Sequence, residues 1–315
     1  MPKIVILNGA VVNYDNQINR QMLPGDVVVY DTTPEDKILD WVTGATVVVT
    51  KEMPMPGDIL RQFPTSVKMV CEAGTGYNNY DAEALQEKGI MLTNIPAYST
   101  QRVAQTAIML MLNLASTMQE QIRMLATGNH DNFDKHLMVN HVELNGKTLG
   151  VVGFGHIGQA IIKVAQAMQM KILVATRTPR DDRDGIHFTT QAELFATSDV
   201  VSLNLPLTEA THHMVNERLL KTMKPTAFLI NTARGGLIDQ DVLITALQQH
   251  EIAGAGLDVQ EVEPLPDDSP LFQLPNVIVT PHIGWRGLET RQRLLQIIND
   301  NVTAFLDGKP INRVI

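Results

Sequence analysis

Leu149-Gly150-Val151-Val152-Gly153-Phe154-Gly155-His156-Ile157-Gly158 is the stretch that decides the fold. An apolar run leads into G-x-G-x-x-G, a helix-compatible segment follows over 159–168, and a second β-rich run covers 171–175. Strand, glycine loop, helix and strand in that order suit the pyrophosphate of a dinucleotide. Gly153 allows the tight turn, Gly155 lets the backbone approach the phosphates, and Gly158 lets helix and strand pack closely. The helix start at His156 and Ile157 adds N–H donors and a partial positive charge. A glycine triplet alone also arises in ordinary turns, so the flanking strand and helix carry the reading.

The end of the second run says which dinucleotide. An NAD site expects an acid there, about 20 residues beyond the glycines, to bond the ribose. Here the sequence reads Thr176-Arg177-Thr178-Pro179-Arg180. A guanidinium between two hydroxyls fits a 2′-phosphate, which favours NADP. Asp181 and Asp182 follow closely and keep NAD open.

At 315 residues the chain is long enough for two cores. Its net charge of −9 comes from interspersed acids and argues against general nucleic-acid binding. One cysteine, Cys71, excludes an intrachain disulfide, and its apolar setting predicts a buried thiol. Met1-Pro2-Lys3 leads directly into a strand-like run and no stretch approaches a membrane span, so the cytoplasm is expected.

Short β-rich runs at 27–30, 46–50, 67–71 and 90–93 alternate with helical segments, the pattern of parallel α/β sheets. Thr33 is expected to cap a helix opening at Pro34, and 81–88 reads as a helix stopped by Gly89. The 100–127 stretch reads as one long helix, too broadly apolar for one wet face and suited to burial between domains or against a second subunit. An irregular arm covers 133–142. Further strands are expected at 200–204, 227–231, 253–257 and 277–280, with a Thr190…Glu193 capping box, an Asp239 cap and a final helix over 288–306. The expected architecture is α/β. Two Rossmann-like parallel-sheet domains, one flavodoxin-like and one dinucleotide-binding, face each other across a cleft. Residues 1–99 with 284–315 form the substrate-binding domain and 100–283 the dinucleotide-binding domain, with hinges near 99–100 and 281–284.

Three polar residues stand at or beyond predicted strand ends: Arg234 in Asn231-Thr232-Ala233-Arg234-Gly235-Gly236, Glu263 before Pro264, and His282 in Thr280-Pro281-His282-Ile283-Gly284-Trp285. Strand carboxyl ends gather around the ligand crevice of an open parallel sheet. Reduction of a 2-oxo acid needs a cation to orient the carboxylate and polarise the carbonyl, which Arg234 supplies. It needs a proton donor near neutral pH, which suits His282. A carboxylate on the far ring nitrogen, Glu263, fixes the ring and favours the imidazolium. Each residue alone has an ordinary structural explanation; the joint arrangement points to a dehydrogenase.

With these residues the chain resembles the D-isomer-specific 2-hydroxyacid dehydrogenases over nearly all its length. The matching pieces include Gly153–Gly158, Leu203-Asn204-Leu205-Pro206-Leu207-Thr208, the arginine segment, Gly254-Ala255-Gly256-Leu257-Asp258-Val259 and the histidine segment. Gly74-Thr75-Gly76-Tyr77-Asn78-Asn79-Tyr80-Asp81 and Asn94-Ile95-Pro96-Ala97-Tyr98-Ser99-Thr100 also match. The resemblance implies Arg234 as substrate clamp, Glu263 as partner, His282 as acid/base, and Thr75 and Gly76 N–H groups on the substrate carboxylate. It implies cofactor contacts from Leu205, Pro206, Thr232, Ala233 and Asp258, and a homodimer built through the 100–127 helix and the arm. Thr176 in place of the family's frequent acid resembles its NADP-using glyoxylate and hydroxypyruvate reductases. Gln105, where many members have Glu, together with Tyr98-Ser99-Thr100 and His282-Ile283-Gly284-Trp285, leans toward the glycerate dehydrogenase branch. Phe133 stands where tryptophan is common.

Two rival readings are a dehydrogenase of a simpler anion, formate or phosphite, and a nucleotide-sensing corepressor or scaffold that kept the fold. Nothing in the sequence points to the first. The absence of basic patches and disordered tails weighs against the second. No metal is expected, since His212-His213 are adjacent and no acid cluster joins them in sequence. Side-chain selectivity is expected from pocket shape, with Tyr77, Tyr98 and Trp285 as candidate walls.

Overall fold

Alternating strands and helices build two parallel sheets, seen here in a computed structural model that describes residues 1–19 and 22–315. The chain divides into two units, Met1–Ser99 with Trp285–Ile315, and Thr100–Gly284. Among the described residues no helix is long and apolar enough to cross a membrane.

In the first unit the strands are β1 (Lys3–Ile6), β2 (Asp26–Val29), β3 (Val47–Thr50), β4 (Met69–Glu72) and β5 (Met91–Thr93). They pair in parallel in the order β2-β1-β3-β4-β5, the doubly wound flavodoxin-like arrangement. β3 and β4 are buried at every residue because helices cover both faces. One face packs on Ile38, Leu60, Phe63 and Leu85, the other on Leu294, Ile298 and Val302 of the final helix, Leu288–Leu306. Arg291 of that helix is 2% exposed, yet fully bonded. Its Nη1 and Nη2 donate to the two Asp15 oxygens at 2.8 and 2.5 Å, and Nη1 also reaches the Val12 carbonyl at 3.0 Å. The arginine bond holds the Asp15 carboxyl down at about 2.

Local chemistry explains most element ends. Asp81 caps Ala82–Lys88 by accepting from the Ala84 N–H at 3.0 Å, and Gly89 ends it in the left-handed region at φ 62°. Thr33 does not cap the next helix as expected. Its N–H donates to Asn8 Oδ1 and its Oγ1 accepts from the Asn8 N–H, leaving Pro34 to precede a short 3-10 turn, Glu35–Lys37.

The second unit holds β6 (Thr148–Val152), β7 (Lys171–Ala175), β8 (Ile186–Phe188), β9 (Val200–Leu203), β10 (Phe228–Asn231), β11 (Gly254–Leu257) and β12 (Val277–Val279). Their order is β12-β11-β10-β9-β6-β7-β8, all parallel, with the topological switch between β6 and β9. The sheet is sealed by Phe195, Leu203, Leu229 and Leu243 on one side and by Leu110, Leu149, Ile161 and Ile230 on the other. Truncating the fully buried Phe195 to Ala would cost about 3–5 kcal/mol.

The expected single helix over 100–127 is two, Thr100–Ala115 and Met118–Ala126. Thr117 between them is left-handed at φ 49°, and the returning 140–142 segment satisfies the break. Val142 N–H donates to the Ala115 carbonyl at 2.8 Å and Thr117 Oγ1 to the Asn140 carbonyl. Half of the expected capping box forms: Thr190 accepts from the Glu193 N–H, but the Glu193 carboxylate takes the Thr189 hydroxyl.

Candidate active site

The glycine loop joins β6 to the helix His156–Ala167. Gly153 is at φ 99°, and a Cβ there would lie 2.2 Å from the Asn204 carbonyl oxygen. A Cβ on Gly158 would lie 2.4 Å from the Gly153 oxygen, so both positions demand glycine. Around Gly155 the space is open, with nothing within 4 Å of a would-be Cβ. Gly155 precedes the helix without a side-chain cap, leaving the first N–H groups, at His156 and Ile157, directed at that space. Beside the loop, two buried polar atoms at strand ends lack a protein partner, Asn204 Oδ1 after β9 and Thr232 Oγ1 after β10. Open cradle, bare helix start and orphaned oxygens together fit a dinucleotide.

At the β7 end, Thr176 Oγ1 donates to the Thr178 carbonyl at 2.7 Å, folding the turn that carries the exposed Arg177. Asp182 is not available to a ribose. Its Oδ1 accepts from the Phe188 N–H at 2.8 Å and its Oδ2 contacts His187 Nδ1 at 2.5 Å. Arg180 and Arg183 lie over the Phe154 ring, 5.5 and 5.1 Å from its centroid.

His282, Glu263 and Arg234 stand beyond the carboxyl ends of β12, β11 and β10. His282 Nδ1 meets Glu263 Oε2 at 2.9 Å, which leaves Nε2 for a ligand. Burial would push the Glu263 carboxyl up, but the His282 hydrogen bond and charge, the Gln260 N–H and Arg234 together hold it below its ordinary 4.5. The Gln260 N–H donates to Glu263 Oε1 at 3.0 Å, so both carboxylate oxygens are placed. His282 itself is left-handed at φ 50°. Asp258 holds that turn: Oδ1 accepts from Thr280 Oγ1 at 2.6 Å and the Ile283 N–H at 2.9 Å, and Oδ2 from the Gly284 N–H at 2.8 Å. Asn231 braces the Arg234 turn, donating to the Arg234 carbonyl at 2.8 Å and accepting from the Ala233 N–H at 3.0 Å. A Cβ on Gly235 would lie 1.9 Å from Gln260 backbone atoms, so only glycine lets the arginine turn pack on the segment leading to Glu263. Leu205 and Pro206 follow β9, with Leu205 Cβ 3.4 Å from the would-be Gly153 Cβ.

In the first unit, Thr75 and Gly76 follow β4. Thr75 Oγ1 donates to the Ile95 carbonyl at 2.8 Å and Asn94 Nδ2 to the Thr75 carbonyl at 2.7 Å, fixing the loop backbone. Cys71, on β4, is fully buried, and burial pushes its thiol up to about 11.

Spacing alone did not reveal two neighbours. Glu261 joins the histidine pair, with His213 Nε2 2.6 Å from Glu261 Oε1 and the two imidazoles stacked at 3.9 Å. The three groups offer ligand atoms within 4.8 Å of one another. Hydrogen bonding and stacking already account for the arrangement, which pins the 261 segment to the loop before Asn216. The other is Lys51, whose Nζ stands beside Gly74 in the first unit.

A parallel α/β unit with a glycine loop at its switch point and a histidine–carboxylate pair beyond its strands defines a nucleotide-dependent oxidoreductase fold. The chain matches the family described as "D-isomer specific 2-hydroxyacid dehydrogenase, NAD binding domain" over residues 108–284. It is 35% identical to a hydroxypyruvate reductase of Blautia hydrogenotrophica, covering 99% of each chain. It is 37% identical to a glyoxylate reductase of Korarchaeum cryptofilum, covering 81% of this chain and 78% of that one. An acyclic imino acid reductase solved with NADPH and D-Arg superposes with a TM-score of 0.86 at 29% identity, covering 99% of this chain and all of the other. The protein belongs to the D-isomer-specific 2-hydroxyacid dehydrogenases.

Proposed function

We propose that the protein reduces a small 2-oxo acid, glyoxylate, hydroxypyruvate or similar, to the (R)-2-hydroxy acid with NADPH favoured, as a cytoplasmic homodimer. The observation that carries the reading is the 2.9 Å contact between His282 Nδ1 and Glu263 Oε2, at the same sheet edge as Arg234. A reduced nicotinamide dinucleotide, held by the Gly153–Gly158 loop with Leu205, Pro206, Thr232 and Ala233, supplies the hydride when bound. The Arg234 guanidinium pairs with the substrate carboxylate and polarises the carbonyl, and Thr75 and Gly76 N–H groups take the carboxylate's remaining lone pairs. His282 Nε2 gives its proton to the developing alkoxide oxygen while Glu263 keeps the ring in place. Asp258 acts through the turn it clamps.

The NADPH preference rests on the exposed Arg177 beside Thr176 and Thr178, and on the commitment of Asp182 to β8. Steady-state oxidation of NADPH and NADH across a short panel of 2-oxo acids tests both halves. Turnover of one such acid with NADPH ahead of NADH is expected. A preference for NADH would overturn the role of Arg177, and silence with every acid would overturn the reductase reading.

A further inference from the structure

Lys51 follows β3, beside the Gly74-Thr75-Gly76 loop, and is 5% exposed. Its Nζ lies 3.3 Å from where a Cβ on Gly74 would stand, so the bare glycine makes room for the ammonium. Burial pulls the Lys51 pKa down, but its interactions with Tyr98, Glu52 and Glu72 more than offset it, and the group stays charged. Glu52 Oε1 is 2.8 Å from Nζ. The indole of Trp285, three residues after His282 in sequence, covers the other side, with its centroid 4.2 Å from Nζ. Trp285 is 3% exposed, and its Nε1 is a buried donor without a protein partner. Lys51 also lines a largely apolar pocket with Leu7, Asn8, Val12, Ala73 and Leu295, at the carboxyl edge of the sheet.

A buried lysine is costly and a methionine of similar length would fill the same volume, so packing does not require the charge. An ammonium residue at a pocket edge and, against it, a buried indole N–H without a protein partner ask for an acceptor oxygen. The ammonium is already balanced by Glu52, and a second anionic group brought there would meet that carboxylate. A neutral oxygen is the complement.

We propose that Lys51 is a specificity-determining residue that donates to the C3 oxygen of a 3-hydroxy-2-oxo acid, with Trp285 as the wall of that subsite. This rests on the reductase reading above and names its substrate class. An enzyme built to bond a hydroxyl discriminates against the analogue lacking it, because the buried donors are then left unpaired. Pyruvate is that analogue of hydroxypyruvate.

The experiment compares kcat and KM for hydroxypyruvate and pyruvate in the wild type and in Lys51→Met. The wild type is expected to favour hydroxypyruvate, and the ratio of the two kcat/KM values to fall about 10–100-fold in the variant, mainly through KM for hydroxypyruvate. Equal losses on both acids, or none, overturn the proposal. A wild type active on 2-oxo acids without preferring hydroxypyruvate overturns it while leaving the reductase reading standing; a wild type inactive on all of them overturns both. Should Lys51→Met fail to fold, inhibition of the wild type decides. D-glycerate is expected to inhibit at least about tenfold more tightly than D-lactate, and equal inhibition overturns the subsite.

Discussion

The proton step proposed for His282 and Glu263 runs through one hydrogen bond, and two measurements probe it. His282→Ala is expected to lower kcat about 10²–10⁴-fold with a smaller change in cofactor affinity. A variant that keeps the full rate would remove His282 from the proton step. Glu263 is a depressed carboxyl, so its contribution to folding is complete above its ordinary 4.5 and is lost as pH falls through its lower folded value. Thermal melts of wild type and Glu263→Gln should therefore differ above pH 4.5 and converge below it. Parallel curves throughout the acid range would mean the pair does not stabilise the fold. The placement of Arg234, Glu263 and His282 was legible because each follows a strand end, and strand ends are visible as apolar runs. What holds them was not. Asp258 read only as a cofactor contact, and its two oxygens also hold the left-handed turn at His282 through bonds from Thr280, Ile283 and Gly284. Those partners lie over twenty residues away, a separation that no local spacing rule spans.

At the scale of elements, the strands declared themselves wherever β-branched residues are buried on both faces, as in β3 and β9. β8 did not, because it is three residues long with His187 exposed, and Asp182 bonds to it through His187 and the Phe188 N–H. Helix ends that use glycine, such as Gly89, were legible; those that force another residue into the left-handed region were not. Thr117 splits one expected helix into two, and Gln169 ends His156–Ala167 at φ 59°. Gln169 donates its N–H to Gln166, Met170 donates to Ala165, and the Gln169 side chain makes only an exposed bond from Asn145. A left-handed conformation costs an L-residue about 1–2 kcal/mol, part of which glycine returns as unfolded-chain entropy. Gln169→Gly is accordingly expected to stabilise by roughly 0.5–1 kcal/mol and raise Tm by about 1–4 °C. A lowered Tm would show that the Asn145 contact outweighs the backbone relief.

For the molecule as a whole, the apolar surplus of the 100–127 segment has a definite location. Met118, Ile122 and Leu125 recur at i, i+4 and i+7, which places them on one face of Met118–Ala126, and all three are exposed. The arm that follows adds Phe133, Leu137 and Met138, with Phe133 77% exposed. Apolar side chains gathered so densely in one short stretch are unusual for a monomer's surface and suit an interface between identical subunits, where the same face meets itself about a two-fold axis. In light scattering coupled to gel filtration, the wild type should run at twice the mass of one chain. The double variant Ile122→Glu, Leu125→Glu should run at the mass of one, because two carboxylates facing their own copies across a dry contact would be left unpaired. Since the substituted residues are exposed in the single chain, the variant should keep the far-ultraviolet circular dichroism of the folded unit. Loss of that signal would place these side chains in a subunit's own core. A double variant that stays dimeric would move the interface elsewhere, and a monomeric wild type would leave the stripe without a partner and end the homodimer reading.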